Sequence, residues 1–421
     1  MRSPGFPALR NASFRNYWVT QLISLVGTWM QNAAQSWLVI NNLFGHNPAE
    51  GVIRLGVISA LQFTPSLLLC LFAGAILDRV SRRKVLVLTQ TVLMFTALVL
   101  ATAVLTGAVT YTVVAVLAFV SGVAQAFDMT ARQSIIPSLV PRADLPNAVA
   151  LNSMAFNTAR ILGYAVFGLL SPLLGLPAMF YANGASFVFV ILVLARLEER
   201  PVPGAAARRP ILQEILDGLK YVAATPAVFW PMTLLLLLSL TVINFNIFIP
   251  TFARNELGLS ETGFGLLGTS FGVGAVLGAL MAAGRQRGAS RYLLTGAVLL
   301  AAFVTLLAVA PSPLVASVIL ALAGLGMILF TISVNSTVQL NAPEHFRGRV
   351  MSVYSLVFAG SAPFGSLIVS GAMGALGSRT GIALVGVAAI VTVLAIGPRT
   401  ARLARAGAPL VETAGSPSGA D

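Results

Sequence analysis

The chain has 421 residues, of which 57% are hydrophobic and 9% are charged. Soluble proteins carry roughly a quarter of their residues as charged side chains, so this composition excludes an ordinary soluble domain and indicates an integral membrane protein. The net charge of +13 does not indicate a nucleic-acid partner, because the cations fall in short clusters between apolar runs. With one cysteine and two histidines, we expect no disulfide framework, no metal site and no cofactor.

The apolar runs come in lengths suited to crossing a bilayer. A helix needs about 20 mostly apolar residues to span the hydrocarbon layer. By this measure the predicted fold is an all-α polytopic membrane protein with twelve transmembrane helices, at residues 17–42, 52–77, 85–105, 110–127, 148–170, 178–195, 228–252, 263–283, 292–310, 314–338, 350–376 and 381–396. The first run is too long and too polar for the core of a signal peptide, so we expect it to be retained.

Arginine and lysine are concentrated in alternate loops. Because cytoplasmic loops carry an excess of these residues, the bias predicts that both termini are cytoplasmic. The longest cytoplasmic connection contains Pro201, Pro203 and Gly204 and then an amphipathic stretch, which is typical of a linker. The predicted organisation is a cytoplasmic tail (1–16), an N-terminal six-helix half (17–197), a linker (198–226), a C-terminal six-helix half (227–397) and a disordered cytoplasmic tail (398–421).

Polar side chains recur at helical spacing in several predicted helices, as Gln21, Ser24 and Thr28 do in the first. Polar groups in hydrocarbon are costly unless they face protein or a wet cavity, so the stripes predict a central polar cavity. For a single residue the alternative is hydrogen bonding between helices. The third, sixth, ninth and twelfth helices carry only scattered polar residues and are expected to face mainly lipid. The candidate cavity residues are Gln31, Asn32, Gln35, Gln125, Asn157, Arg160, Asn244 and Asn335.

Two charged residues in these stripes are candidates for a role in transport. Arg160 lies about 18 Å along its helix at 1.5 Å per residue, close to the midplane, where it could bind an anionic substrate or hold a gating pair. Asp128 is the candidate for proton coupling, although its spacing from Arg132 also fits a simple i,i+4 ion pair. Because no acidic residue is predicted deep in the membrane, neutral, amphipathic or anionic cargo is favoured over cationic drugs.

A charge-dense turn, Gly74-Ala-Ile-Leu-Asp78-Arg79-Val-Ser-Arg82-Arg83-Lys84, follows the second helix. It resembles the signature loop of the major facilitator superfamily of transporters. Residues 14–18 (FRNYW), 126–163 and 347–352 (RGRVMS) are similar to the enterobactin-exporter-like branch, also called transmembrane secretion effectors, and the resemblance covers nearly the whole chain. Tyr164 departs from the proline that this branch has after its fifth-helix glycine, which weakens an inference of drug/proton antiport.

The resemblance carries expectations for gating. It implies that the cavity is lined by the first, fourth, seventh and tenth helices. It also implies that Asp78 docks at the amino end of the eleventh helix, near Gly348 and Arg349, and closes the cytoplasmic side. The alternative is that the loop only anchors the topology. The predicted gating residues are Gly74, Asp78, Arg79, Arg82 and Arg83.

These observations favour a secondary active transporter that exports a small amphipathic molecule, such as a siderophore or a drug-like compound, with protons as the coupling ion. The alternatives are an importer or uniporter of the same fold and, from a different class, a membrane-embedded enzyme or a scaffold. No catalytic cluster of His, Asp or Glu is apparent, so an enzyme is not expected. The expected setting is the cell membrane as a multi-pass monomer, whose partners are the bilayer, protons and the substrate.

Overall fold

The computed structural model describes residues 6–77, 80–197, 211–283, 289–344 and 346–406, and within them every regular element is helical. Parts of the predicted tails and linker, residues 1–5, 198–210 and 407–421, lie outside the described residues. The helices are α1 Ala12–Trp37, α2 Pro48–Leu77, α3 Arg82–Leu105, α4 Tyr111–Leu139, α5 Leu145–Arg196, α6 Ile211–Ala224, α7 Pro226–Thr241, α8 Phe245–Thr251, α9 Glu261–Ala283, α10 Ala289–Leu307, α11 Pro313–Asn341, α12 Arg347–Gly360, α13 Ala362–Leu376 and α14 Ser378–Ala406.

Side chains in the connections start several of these helices. Asn11, Ser81 and Thr110 each accept a hydrogen bond from a backbone N–H in the first turn of α1, α3 and α4, respectively. Such caps satisfy donors that have no partner inside the helix. Gly175 has a φ of 78° and divides α5 into two segments. Because side chains rarely adopt that backbone conformation, glycine permits the turn between the two spans predicted at 148–170 and 178–195.

Nine helical segments of the described chain are long and apolar enough to cross a membrane. They are Pro48–Leu69, Arg82–Leu105, Tyr111–Leu139, Arg142–Arg196, Pro226–Glu256, Glu261–Ala282, Pro313–Asn341, Arg347–Leu376 and Ser378–Leu403, and Tyr292–Leu307 is a shorter apolar helix. The chain is therefore a membrane protein with many spans. α1 is not among the nine segments, and it carries the polar face described above.

Two of the spans are interrupted. Between α7 and α8 the helix stops at Val242, and the amide of Asn244 donates to the carbonyl of Ser239 over 3.0 Å. Between α12 and α13 the break falls at Ser361, directly before Ala362 and Pro363. Interrupted helices in membranes are tolerated where other groups satisfy the freed backbone, as Asn244 does here.

The N-terminal helices (α1–α5) meet the C-terminal helices (α7–α14) along two seams. We call the end of the bundle where α1 begins the terminal end, and the other the opposite end. At the α2–α13 seam, Gly56 lies against Ser370 and Gly374 against Ile53. At the α5–α9 seam, a Cβ added to Gly265 would lie 2.5 Å from the Cα of Gly168. Close packing through small residues therefore joins the two sets of helices toward the opposite end.

Within the described residues, three hydrogen bonds also join the two sets of helices. Trp37 Nε1 donates to Glu261 Oε1 at 3.0 Å, Asn246 Nδ2 to Ser59 Oγ at 2.9 Å, and Thr262 Oγ1 to the carbonyl of Gly168 at 3.0 Å. All three lie in the part of the bundle nearer the opposite end. These contacts hold the two sets of helices together toward the opposite end.

The amphipathic stretch predicted in the linker forms α6, which packs on α12. Asp217 forms an ion pair with Arg349 at 3.3 Å, and the ring of Tyr221 stacks on Phe346 with the centroids 5.4 Å apart. The hydroxyl of Tyr221 also donates to the carbonyl of Asn341 at 2.8 Å. The helix is thus fixed to the terminal end of the C-terminal helices.

Candidate substrate path and charge cluster

A small polar cavity lies within the N-terminal helices. Its polar lining consists of Thr28, Gln31, Asn32 and Gln35 from α1, Gln62 from α2, Ser121 and Gln125 from α4, and Asn183 from α5. Leu93 and Phe187 complete the wall. The volume is ≈ 20 Å³, which is room for about one water molecule. In this conformation the cavity is a polar contact region rather than a space that could hold an organic substrate.

The polar side chains of α1 contact α5 and line the cavity. Gln31 Oε1 accepts a hydrogen bond from Asn183 Nδ2 at 2.7 Å, and Gln21 Nε2 donates to Asn152 Oδ1 at 3.0 Å. Both contacts tie α1 to α5, as amides commonly do between membrane helices. Gln35 is buried in the same region and lines the cavity. The first-helix stripe thus combines helix packing with cavity lining.

Asp128 lies in a buried charge cluster between α3 and α4. Its carboxylate accepts hydrogen bonds from Thr89 Oγ1 at 3.0 Å and from Gln90 Nε2 at 2.6 Å, and it forms an ion pair with Arg132. The side chains of Asp128 and Arg132 are both largely buried. Arg132 would be left buried without its counter-ion if the charge of Asp128 were removed.

Tyr17 of α1 lies beside Arg132 in this cluster, and Gln90 Oε1 is buried without a hydrogen-bond partner in the described chain. Buried polar groups are nearly always paired with protein or water. Gln90 Oε1 therefore leaves capacity for a water molecule beside the ion pair.

Arg160 lies where the N-terminal and C-terminal helices meet. Its Nη2 donates to Asn157 Oδ1 at 2.8 Å, and its guanidinium carbon lies 5.5 Å from the ring centroid of Trp29 and 5.4 Å from that of Phe271. The residue is only 6% exposed, and its Nε has no hydrogen-bond partner. Among the described residues Arg160 forms no ion pair, so its charge is stabilised by two aromatic rings and one amide.

The other predicted cavity residues do not line the polar cavity of the N-terminal helices. Asn244 is buried at the α7–α8 break and bonds to backbone carbonyls of its own span. Asn335 accepts a hydrogen bond from Gln339 at 2.7 Å, one turn along α11. Asn157 bridges Arg160 and the carbonyl of Ser153. Four of the predicted residues therefore line this cavity: Gln31, Asn32, Gln35 and Gln125. The other four do not line it: Asn157, Arg160, Asn244 and Asn335.

The predicted gating loop is described only in part. Asp78 and Arg79 lie outside the described residues, Gly74 falls in the last turns of α2, and Arg82 opens α3. Arg83 donates to the carbonyls of Ala195 and Leu197 at 2.5 and 2.8 Å, so it ties α3 to the end of α5. Arg349, the expected partner of Asp78, is paired with Asp217 of α6 in this conformation.

Some polar residues of the third and sixth predicted helices contact other helices, whereas the expectation that these helices face mainly lipid stays a prediction. Thr89 and Gln90 of α3 are buried on Asp128, and Asn183 of α5 is buried on Gln31. These residues, together with Gln62 and Phe271, are parts of the site that the stripes did not identify. A single buried amide has no periodic pattern around it, although its placement in an otherwise apolar run is itself a signal.

The chain is similar to a family of membrane proteins and to two named transporters. The family model described as "transmembrane secretion effector" matches residues 3–409. The multidrug efflux pump Tap of Mycolicibacterium fortuitum is 27% identical over 82% of this chain and 85% of its own length. The staphyloferrin A transporter of Staphylococcus aureus is 24% identical over 63% of this chain and 65% of its own length.

Solved structures agree on the fold. The nucleoside transporter NupG superposes with a TM-score of 0.72 at 13% identity, covering 92% of this chain and 98% of that one. A D-xylose–proton symporter superposes with a TM-score of 0.69 at 16% identity, covering 90% and 97%. Since the family model spans nearly the whole sequence, the chain belongs to the transmembrane secretion effector family of the major facilitator superfamily, and it is a membrane transporter rather than an enzyme.

Proposed function

We propose that this protein exports small amphipathic molecules, such as siderophores or drug-like compounds, by alternating access coupled to the entry of protons. The named relatives, a multidrug efflux pump and a siderophore transporter, support this class of cargo. In the proposal the chain crosses the cell membrane twelve times as a monomer, in two six-helix halves with both termini in the cytoplasm. α1, the two segments of α5 and Tyr292–Leu307 then all count as crossings.

The buried Asp128 cluster is the observation that carries the proposal. An ionisable residue inside a membrane domain is expensive and is a functional candidate by default. Asp128 is held by Thr89 and Gln90 of α3 and by Arg132 of its own helix, so its charge state controls contacts between two helices. Protonation would weaken the hold on Arg132, and loss of the proton would restore it. The proton gradient would thereby act on the packing of the N-terminal helices.

The contacts between the two halves support alternating access. Close glycine contacts and three hydrogen bonds join the halves toward the opposite end. With the termini in the cytoplasm, this conformation would be closed to the outside and would receive cargo from inside the cell. Exchange of the tight contacts from one end of the seams to the other would then release the cargo outside.

The test uses purified protein in proteoliposomes with an imposed pH gradient. Transport of a catecholate siderophore, a neutral hydrophobic drug and a lipophilic cation is measured for the wild type, Asp128→Asn and Glu50→Gln. Glu50 is a matched control because it forms the same i,i+4 pair with Arg54, at 3.1 Å, but on an exposed part of α2.

We expect the siderophore or the neutral compound to move against the proton flow in the wild type and in Glu50→Gln, and not in Asp128→Asn. Transport along the proton flow would instead identify an importer. A transport rate that does not depend on the pH gradient would identify a uniporter. It would also contradict the proposed role of Asp128 in proton coupling.

A further inference from the structure

Arg160 lies at the point where the α5–α9 seam begins to open. On the side of the opposite end the two helices are in close contact, with Tyr164 against Gly268 and Ile161 against Gly272. One turn further toward the terminal end, Phe156 of α5 is 48% exposed, and Leu277 of α9 is also exposed. A molecule that enters the seam from the terminal end therefore reaches Arg160 where the tight packing starts.

The guanidinium of Arg160 has an unused binding capacity. Its Nε is buried without a hydrogen-bond partner, and no carboxylate of the described chain pairs with it. Trp29 and Phe271 stabilise the cation through their ring faces, but a ring cannot accept the directed hydrogen bonds that a carboxylate can. A buried cation in this state gains more from an incoming anion than from any other class of ligand.

The surroundings of Arg160 fit the apolar body of a ligand. Trp29 packs edge-on against Phe156 with centroids 5.7 Å apart, and Phe245 lies 4.1 Å from Phe271. These rings come from both sets of helices and form an aromatic wall around the cation. Aromatic walls with a single convergent charge are typical of sites for amphipathic ions.

We propose that Arg160 binds the anionic group of the cargo, so that this transporter selects amphipathic organic anions with an aromatic or otherwise apolar body. The anion replaces Phe271 as the partner of the guanidinium, and binding thereby weakens a contact that joins the N-terminal and C-terminal helices. The proposal rests on the proposed transport function and names its substrate class. A lipophilic cation is repelled by Arg160 and is a poor ligand.

The test measures equilibrium binding to the protein in nanodiscs, with three probes that share one body and differ in charge: pyrenebutyrate, pyrenebutanol and pyrenebutylammonium. Energy transfer from tryptophan reports binding, and empty nanodiscs correct for partitioning. We expect pyrenebutyrate to bind the wild type at least about tenfold more tightly than pyrenebutanol, and pyrenebutylammonium to bind more weakly than either.

Variants of Arg160 test whether this residue causes the preference for pyrenebutyrate over pyrenebutanol. Arg160→Gln is expected to remove the tenfold preference while pyrenebutanol still binds, and Arg160→Lys is expected to keep part of it. Arg379→Lys is the matched control. Arg379 also lies over a ring, 5.4 Å from the centroid of Phe252, but it is already paired with Glu256 at 2.9 Å. The control is expected to keep the full preference.

Phe271→Leu gives a second test that does not depend on the stability of the Arg160 variants. Because the ring competes with the anion in our proposal, its removal is expected to raise the preference for pyrenebutyrate over pyrenebutanol about threefold. Equal affinities of the three probes for the wild type, a preference that survives in Arg160→Gln, or equal weakening of all probes in Phe271→Leu would overturn the proposal. Failure of proton-driven transport with the preference intact would count against the proposed function alone.

Discussion

The N-terminal and C-terminal helices have a similar order of elements but differ in what fills their interiors. The N-terminal helices contain the buried pair of Asp128 and Arg132 and the hydrogen-bonded amides of Gln31 and Asn183. In the described C-terminal helices the ion pairs lie near the ends of the bundle and are partly exposed, as for Arg379 and Glu256. Among the described residues, the two charged residues that are almost fully buried, Asp128 and Arg160, both belong to the N-terminal helices.

Glycines allow close packing within the C-terminal helices, as they also do within the N-terminal helices. Gly274 of α9 lies against the backbone of Ala321, Gly324 lies against Phe271, and a Cβ added to Gly326 would lie 2.7 Å from the backbone nitrogen of Leu300. Helices packed this closely leave little freedom for internal rearrangement. The difference between the two parts therefore lies in the buried charge, and in our proposal it is the N-terminal helices that respond to protons and cargo.

The largest expected effect comes from breaking the buried pair. Asp128→Asn leaves Arg132 buried without its counter-ion, which costs about 3–5 kcal/mol of stability. Replacing both residues, in Asp128→Asn/Arg132→Gln, is expected to recover most of that loss because neither charge remains. Thermal unfolding followed by fluorescence-detected size exclusion measures both variants.

Proton-driven transport is expected to be absent from the single and from the double variant. A double variant that is stable and still transports with the gradient would show that the pair is only structural. The buried pair would then no longer distinguish the N-terminal helices from the C-terminal helices in proton coupling.

A smaller effect is expected from overpacking the C-terminal helices. In Gly274→Val the new side chain meets the backbone of Ala321, and overpacking of this kind costs about 1–3 kcal/mol. Gly371→Val is the control, because a Cβ at that position meets nothing within 4 Å. We expect a lower melting temperature for Gly274→Val than for Gly371→Val, with the pH dependence of transport unchanged in both. An altered pH dependence in Gly274→Val would place proton coupling in the C-terminal helices as well.

The smallest effect is expected at the amides. Asn183→Leu removes the hydrogen bond to Gln31, and such bonds between membrane helices contribute about 0.6–2 kcal/mol. Gln339→Leu is the control in the C-terminal helices, because Gln339 is exposed and bonds only to Asn335 one turn away. The initial transport rate should fall a few-fold in Asn183→Leu and stay unchanged in Gln339→Leu. An equal fall of the transport rate in the two variants would contradict the proposed difference between the N-terminal and C-terminal helices.

Much of the fold follows from local patterns in the sequence. The apolar runs predict where the spans lie because crossing hydrocarbon requires length and hydropathy, and both are local properties. Asp128 and Arg160 were identifiable as candidates for the same reason, since charges within apolar runs are rare.

The contacts between helices were not predictable in this way. That Gln90 would face Asp128, or that Phe271 would lie over Arg160, depends on how distant helices rotate against each other. The α7–α8 break is a further example, since the polar stripe predicts that Asn244 lines a cavity, but only the structure shows that its amide bonds to carbonyls of its own interrupted span. Periodicity shows which residues share a face, but packing decides what that face meets.

The most direct test of the account measures the α5–α9 seam as the proton concentration changes. Spin labels are attached at Met154→Cys and Met281→Cys, two exposed positions near the terminal end of the seam, in a Cys70→Ser background. Electron–electron double resonance then gives the distance distribution at acidic and alkaline pH. We expect a pH-dependent shift in the otherwise wild-type protein and none in Asp128→Asn/Arg132→Gln. The same shift in both proteins would contradict the claim that the charge cluster of the N-terminal helices controls the seam.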